Sequence, residues 1–211
     1  MQVKSKQRVA NHGEVYTHDR EVNAMLDLVA DQAANSAATF LEPACGTGNF
    51  LAEILRRKLA AASQKYKKSQ GDYERNAIIA ISSIYGIELL PDNVAECCER
   101  LYHIFAEYYQ AVFPNTIKAE CLRTARYILS QNILCGDALA LKTAAGEPIV
   151  FAQWAAVNGS LVKRRDYVFP DLIYKSSERE LPLFSDLGDE AYIPTPVKEY
   201  PLVHFLELGN V

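Results

Sequence analysis

Phe40-Leu41-Glu42-Pro43-Ala44-Cys45-Gly46-Thr47-Gly48-Asn49-Phe50-Leu51 decides how the rest of this 211-residue chain is read. A short apolar run, a turn with two glycines and a long helix-forming stretch spell a buried strand, a tight loop and a helix from Asn49 to about Ala62. Gly46 and Gly48 carry no Cβ, so the backbone can take positive φ and lie close against a bound molecule. The helix that follows aims unpaired amide hydrogens and a partial positive charge at the same place. Two other glycine-rich readings fail. A P-loop needs a Lys after its last glycine, and none follows Gly48. A dinucleotide fingerprint needs a third glycine and an acid about 20 positions on, whereas position 51 is Leu and the next suitable carboxylate is Glu88.

Working outward, Ile84-Tyr85-Gly86-Ile87-Glu88 reads as a second strand and Asn132-Ile133-Leu134-Cys135-Gly136-Asp137-Ala138 as a third, each ending in an acid. Open α/β sheets bind ligands outside the carboxyl ends of their strands, so Glu42, Glu88 and Asp137 are expected to meet there. Helices are expected from Asp19 to Asp31 (apolar stripe Val22, Met25, Leu26, Val29), from Tyr73 to Ser82, from Pro91 along Val94, Cys98, Leu101, Phe105 and Tyr109, and from Asn115 to Ser130. Glu147–Phe151 is a further strand or hairpin arm. The aromatics Tyr102, Phe105, Tyr108, Tyr109 and Phe113 fall at helical spacing, which favours packing over base stacking.

The stretch from Leu41 to Leu51 resembles the first motif of the amino-methylating DNA methyltransferases, the adenine-N6 enzymes of restriction–modification systems. Gly13-Glu14-Val15-Tyr16-Thr17 resembles the segment that precedes this motif and folds over the methionine end of the cofactor. The likeness runs from about residue 8 to residue 142. It implies a doubly wound, Rossmann-like α/β methyltransferase sheet with an N-terminal helical segment, and S-adenosylmethionine as cofactor. By the same resemblance the cofactor-binding residues are Tyr16, Thr17, Glu42, Pro43, Ala44, Gly46, Gly48, Asn49, Phe50, Glu88, Asp137 and Ala138. Tyr16 and Thr17 cover the cofactor, Glu88 takes the ribose hydroxyls and Asp137 the adenine amine. The chemistry suits the roles, because two adjacent hydroxyl donors match one ionised carboxylate and an exocyclic amine donates to another.

One family feature is missing. These enzymes carry an Asn/Asp/Ser-Pro-Pro-aromatic tetrapeptide that accepts hydrogen bonds from the target amine and stacks on the flipped base. The chain has no Pro-Pro pair, and neither Val168–Tyr174 nor Ile193-Pro194-Thr195-Pro196 has the right order. Three functions stay open. The chain is an adenine-N6 DNA methyltransferase or its cofactor-binding subunit, with target recognition and the tetrapeptide supplied by a partner. It is a catalytically inactive cofactor-binding or regulatory protein. Or it is a small-molecule methyltransferase, since one platform serves many substrates.

A formal charge of −4 suits a stand-alone DNA binder poorly, so DNA is expected to be reached through a partner or specificity subunit in a homo- or hetero-oligomer. Arg56-Arg57-Lys58 is expected on the solvated face of its helix, and Lys163-Arg164-Arg165 after the Asn158-Gly159 turn is the better candidate for phosphate contact. Five cysteines without C-x-x-C spacing read as reduced thiols in a cytoplasmic protein, with Cys45 a small packing residue; four scattered histidines imply no metal. No apolar run approaches a membrane span. Residues 1–155 are read as the S-adenosylmethionine-binding domain and 156–211 as a basic turn and an irregular, Pro-rich acidic tail.

Overall fold

A computed structural model describes residues 8, 10, 17–177 and 195–210 of the chain. Tyr16 and the acids Glu178, Glu180, Asp186, Asp189 and Glu190 of the expected tail lie outside the described residues.

The sheet that carries the site is small and entirely parallel. β1 (Phe40–Glu42), β2 (Ile84–Glu88) and β3 (Ile133–Cys135) lie in the order β1-β2-β3, with Phe40 opposite Ile84 and Gly86 opposite Ile133. Parallel neighbours require crossovers, and helices supply them. α1 (Asp19–Asp27) and α2 (Ala30–Ala34) precede β1. α3 (Asn49–Tyr66) and α4 (Gln70–Ser82) join β1 to β2, and α5 (Pro91–Val112) and α6 (Ala119–Asn132) join β2 to β3. The architecture is mixed α/β and compatible with a Rossmann-like fold.

The main core lies between the helices and one face of the sheet. Leu51, Leu55 and Leu59 of α3, Tyr73, Ala77 and Ile81 of α4, Leu101, Phe105 and Tyr109 of α5 and Ile128 of α6 are fully buried. The aromatics of α5 pack, as their spacing indicated: Phe105 and Tyr109 are buried, and Tyr102, Tyr108 and Phe113 lie partly buried against the core. A second, smaller core covers the other face through Ile87, Leu141, Ile149, Phe151 and Phe169.

Helix boundaries depart from expectation where packing overrides local signals. The first helix stops at Asp27, because Val29 adopts φ −128°, ψ 37°, and the chain restarts as α2. Val22 and Leu26 are therefore buried, while Met25 and Val29 face solvent. α3 continues past Ala62 to Tyr66, as expected of the polar stretch from Gln64, which reads as a helix extension and loop; Gln64 and Lys65 are good helix formers. α4 begins at Gln70, and α6 begins only at Ala119.

The basic triplet Arg56-Arg57-Lys58 is not uniformly solvated. Lys58 is fully buried, its Nζ donating to Asn35 O (2.9 Å), Ser36 O (3.4 Å), Ala38 O (2.5 Å) and Ser83 Oγ (2.7 Å). It ties α3 to the chain entering β1 and to the turn before β2. Burial pushes its pKa down to about 7.

After residue 149 the chain forms a second sheet. β4 (Val150–Val157) and β5 (Leu161–Val168) make a hairpin closed by the three residues Asn158, Gly159 and Ser160, the first two of which take positive φ (34° and 77°). β6 (Lys198–Glu199) and β7 (Val203–His204) add to β5, and α7 (Phe169–Ser177) and a 3₁₀ turn (Phe205–Asn210) complete it. Thus the described part of the expected irregular tail is largely regular, and the expected boundary after residue 155 falls inside β4, where Ala155 and Ala156 both pair with β5. Trp154 Nε1 donates to Asn132 Oδ1 (2.8 Å), and Asn132 Nδ2 donates to Ser82 O and Ile84 O, so one buried Asn joins the two sheets.

Lys163, Arg164 and Arg165 lie on β5 and meet acids of their own sheet. Lys163 Nζ sits 2.9 Å from Glu199, Arg164 Nε 2.7 Å from Asp166 and Arg165 Nε 3.6 Å from Glu199. Arg164 also lies over the Tyr200 ring (4.4 Å). Glu199 is shared by Lys163 and Arg165, and Asp166 takes Arg164, so two acids offset two of the three charges expected for phosphate contact.

Candidate functional site

β1 delivers the chain to the glycine loop, and the loop is built around backbone amides. Cys45 N–H donates to Ile87 O (2.9 Å) and Gly48 N–H to Cys45 O (2.8 Å). Gly46 (φ 54°) and Gly48 (φ 84°) occupy the left-handed region. A Cβ on Gly48 would lie 2.6 Å from Cys97 Sγ of α5, so the second glycine is required by packing as well as by φ. Cys45 is buried, and its thiol is held far above the ordinary range by the hydrogen bond with Cys97 and then by burial, which leaves no thiolate nucleophile there.

Glu88, at the end of β2, fastens this loop. Its Oε2 accepts from Gly46 N–H (2.9 Å), and its Oε1 accepts from Leu90 N–H (3.0 Å) and Asn93 Nδ2 (3.4 Å). One carboxylate therefore bridges the glycine loop and the start of α5. Glu42 is half-buried, its Oε1 accepts from Ala44 N–H (3.4 Å), and desolvation raises its pKa. Gly136 N–H donates to Glu88 O (3.0 Å), which places the turn after β3 beside the end of β2.

In that turn Asp137 Oδ1 accepts from Leu139 N–H (2.8 Å) and Ala140 N–H (3.1 Å), and its backbone pairs with Lys142. Asp137 is exposed, and no bond to its Oδ2 occurs among the described residues. The three acids thus stand at one rim of the sheet, as the strand-end pattern indicated, though Glu88 and Asp137 each also brace their own loop. Asn49 Nδ2 donates to Thr17 O (3.0 Å), bringing the residue before α1 against the loop. Pro43 and Ala44 are exposed on the loop, Ala138 is half-buried beside Asp137, and Phe50 packs partly buried against the main core.

Three residues of the rim were not singled out from sequence. Arg100 of α5 donates through Nη1 to Asn49 Oδ1 (2.6 Å) and Thr47 O (3.3 Å). A polar cavity of about 320 Å³ opens beside it, bounded by Asp19, Asn23, Glu53 and Arg56 among others. Leu89 and Leu139 follow the second and third acids closely and are 55% and 96% exposed, large apolar groups left in water at the rim. An apolar residue just past a strand-end acid is a readable signal. Arg100 carried none, because only the crossing of α5 over the loop brings it there.

Among the described residues no group of three His, Cys, Asp or Glu could hold a metal ion, and no helix is long and apolar enough to cross a membrane. Residues 17–149 match the family model of the MmeI DNA-methyltransferase domain, a span that covers the first sheet, its helices and every described rim residue named above. No curated protein and no solved structure matches the chain.

Proposed function

The chain belongs to the MmeI DNA-methyltransferase domain family, which makes it a restriction–modification methyltransferase-like protein, and from that premise we propose that it binds S-adenosylmethionine on the Gly46–Gly48 loop and serves as an adenine-N6 DNA methylation module that works with a partner. The observation that carries this reading is the Glu88 bridge, which fastens the loop beside the turn of Asp137. The same reading takes β1–β3 as part of a doubly wound Rossmann-like sheet.

The donor set fits the cofactor. Glu42, Glu88 and Asp137 are acceptors for nucleoside hydroxyl and amine donors. Glu88 Oε2 holds one loop amide and keeps a further lone pair for a ribose hydroxyl, and the bond-free Oδ2 of Asp137 suits an adenine amine. Leu89 and Leu139 offer apolar surface for the faces of a purine. Thr17, tied to Asn49, stands where a cover over the methionine end would begin, and Tyr16 belongs to the same proposal. Bound here, S-adenosylmethionine supplies an already activated methyl group, so the chain's own task is to hold and orient. DNA contact falls to a partner or specificity subunit, because the basic triplet of β5 is engaged by Glu199 and Asp166.

A second reading has its own observation. The absence of a Pro-Pro pair favours a cofactor-binding or regulatory protein without methyl transfer. Calorimetric titration with S-adenosylmethionine tests the shared claim: saturable one-to-one binding is expected, and none at millimolar cofactor would end both readings. Tritiated-methyl transfer to adenine-containing DNA, with and without a co-expressed DNA-binding subunit, then separates them.

A further inference from the structure

Arg100 stands near the middle of α5, half-buried, and brings a charge into the helix layer without an acid to meet it. Arg57 and Arg164 meet carboxylates at 2.8 Å and 2.7 Å. The bonds of Arg100 go to neutral acceptors instead. Its Nη1 donates to Asn49 Oδ1 (2.6 Å) and to Thr47 O (3.3 Å), and no ion pair reaches it among the described residues.

These contacts fix the amide of Asn49. A guanidinium has five donors and no acceptor, so only the amide oxygen can face it. The amide nitrogen is thereby turned the other way, where Nδ2 donates to Thr17 O (3.0 Å). A flipped Asn49 would set donor against donor at Arg100 and oxygen against oxygen at Thr17. A relay therefore runs from α5 through the first residue of α3 to the residue before the His18 cap of α1. No hydrogen bond joins Arg100 to α1 directly among the described residues, and a polar cavity of about 320 Å³ is bounded by Arg100 and by Asp19 and Asn23 of α1.

We propose that Arg100 is a positioning residue for the cofactor: by fixing the amide of Asn49 it pins Thr17, and so sets the path of the chain that covers the methionine end. This inference rests on the cofactor reading and adds to it a residue that acts through another. Two turns of α5, about 10 Å along its axis, separate Arg100 from Asn93, the residue that reaches Glu88. The body of α1 is held by other means, since Val22 and Leu26 are buried and Arg57 bonds Asn23 and Asp27. The entrance to α1 is left to Asn49, so loosening that one contact frees the cover without releasing the helix. The expected signature is a faster departure of S-adenosylmethionine with little change in its arrival.

The test compares the full wild-type chain with Arg100→Met, Arg100→Lys, Asn49→Ala and the Arg100→Met/Asn49→Ala double variant. Surface plasmon resonance on the immobilised chain reads association and dissociation of S-adenosylmethionine separately. Arg100→Met keeps an apolar stem and removes the donors. It should speed dissociation by about threefold to tenfold, the worth of one neutral hydrogen bond, and leave association within about twofold. Both bonds of Arg100 leave from one nitrogen, so the ammonium of Arg100→Lys can replace them and should recover most of the loss. In the Asn49→Ala background Arg100→Met should add less than about twofold, because no amide is left to orient. A readout without cofactor follows the relay itself. Glu21 and Val22 N–H donate to His18 O in the first turn of α1, and both should exchange faster in Arg100→Met.

The proposal is overturned if Arg100→Met changes neither dissociation nor that exchange, if Arg100→Lys is no better than Arg100→Met, or if the full loss persists without the Asn49 side chain. Should Arg100→Met not fold, Asn49→Asp decides. It keeps an acceptor for Arg100 but offers Thr17 O no donor, so dissociation as slow as in the wild type would end the relay. A wild-type chain that binds no S-adenosylmethionine removes the cofactor reading and this role with it. Variants that behave as a binding wild type does remove this role alone.

Discussion

Replacing Glu88 with glutamine measures how firmly one carboxylate holds the candidate site together. Three donors converge on it: Gly46 N–H at 2.9 Å on Oε2, and Leu90 N–H at 3.0 Å with Asn93 Nδ2 at 3.4 Å on Oε1. A glutamine has one acceptor oxygen. Turned toward Leu90 and Asn93 it keeps those two bonds, but its amide then faces the Gly46 amide donor to donor. Turned the other way it opposes two donors. The first arrangement is the cheaper, and it loses one hydrogen bond to a charged group, worth about 1.5–3 kcal/mol. For a domain of this length each kcal/mol lowers the thermal midpoint by about 2–4 °C, so a drop of about 3–12 °C is expected. Scanning calorimetry reads the midpoint, and amide exchange at Gly46 reads the loop, which should exchange faster in the variant. A midpoint within about 1 °C of wild type with unchanged Gly46 exchange would refute the bridge. The loop would then be held by Cys45 N–H on Ile87 O and Gly48 N–H on Cys45 O alone.

Gly48→Ala combines a left-handed backbone penalty of about 1–2 kcal/mol with a Cβ that meets Cys97 Sγ at 2.6 Å; urea denaturation should show a loss exceeding the backbone term, of which adding Cys97→Ala restores only the steric part. Asp137→Ala should weaken S-adenosylmethionine binding about tenfold or more, and an unchanged calorimetric titration would remove Asp137 from the site. Lys58 carries a pH signature. Burial holds its folded pKa at about 7, below the ordinary value of 10.5, so its contribution to stability is fully present above the unfolded pKa and is lost as pH falls through the folded one. The stability gap between wild type and Lys58→Met should therefore widen by about 2 kcal/mol from pH 7 to 8.5, and a gap that is flat with pH would contradict a depressed ammonium.

The first sheet was legible in the sequence because its signals are local. An apolar run ending in an acid, a glycine pair and a long helical stretch each depend on neighbours a few residues apart, so Phe40–Glu42, Ile84–Glu88 and the start of α3 at Asn49 fell where expected. What failed was local reasoning about surfaces. Lys58 reads as one of three solvated cations, yet the carbonyls at Asn35, Ser36 and Ala38 come from a segment 20 or more positions away and can be met only once the chain has folded back. Lys163, Arg164 and Arg165 read as a free basic patch until β6 brings Glu199 across from Arg165. Arg100 has no local mark at all, because its role at Thr47 and Asn49 follows from how α5 crosses the loop.

The amino-acid sequence alone determined the strand–glycine–helix unit and the acids at three strand ends, since backbone freedom at Gly46 and Gly48 and the period of the apolar runs are properties of neighbouring residues. The tertiary structure decided which of those acids brace the loops, which cations are already spent, and that Arg100 meets the glycine loop. Those outcomes depend on contacts between segments tens of residues apart, and only the packed chain sets such distances.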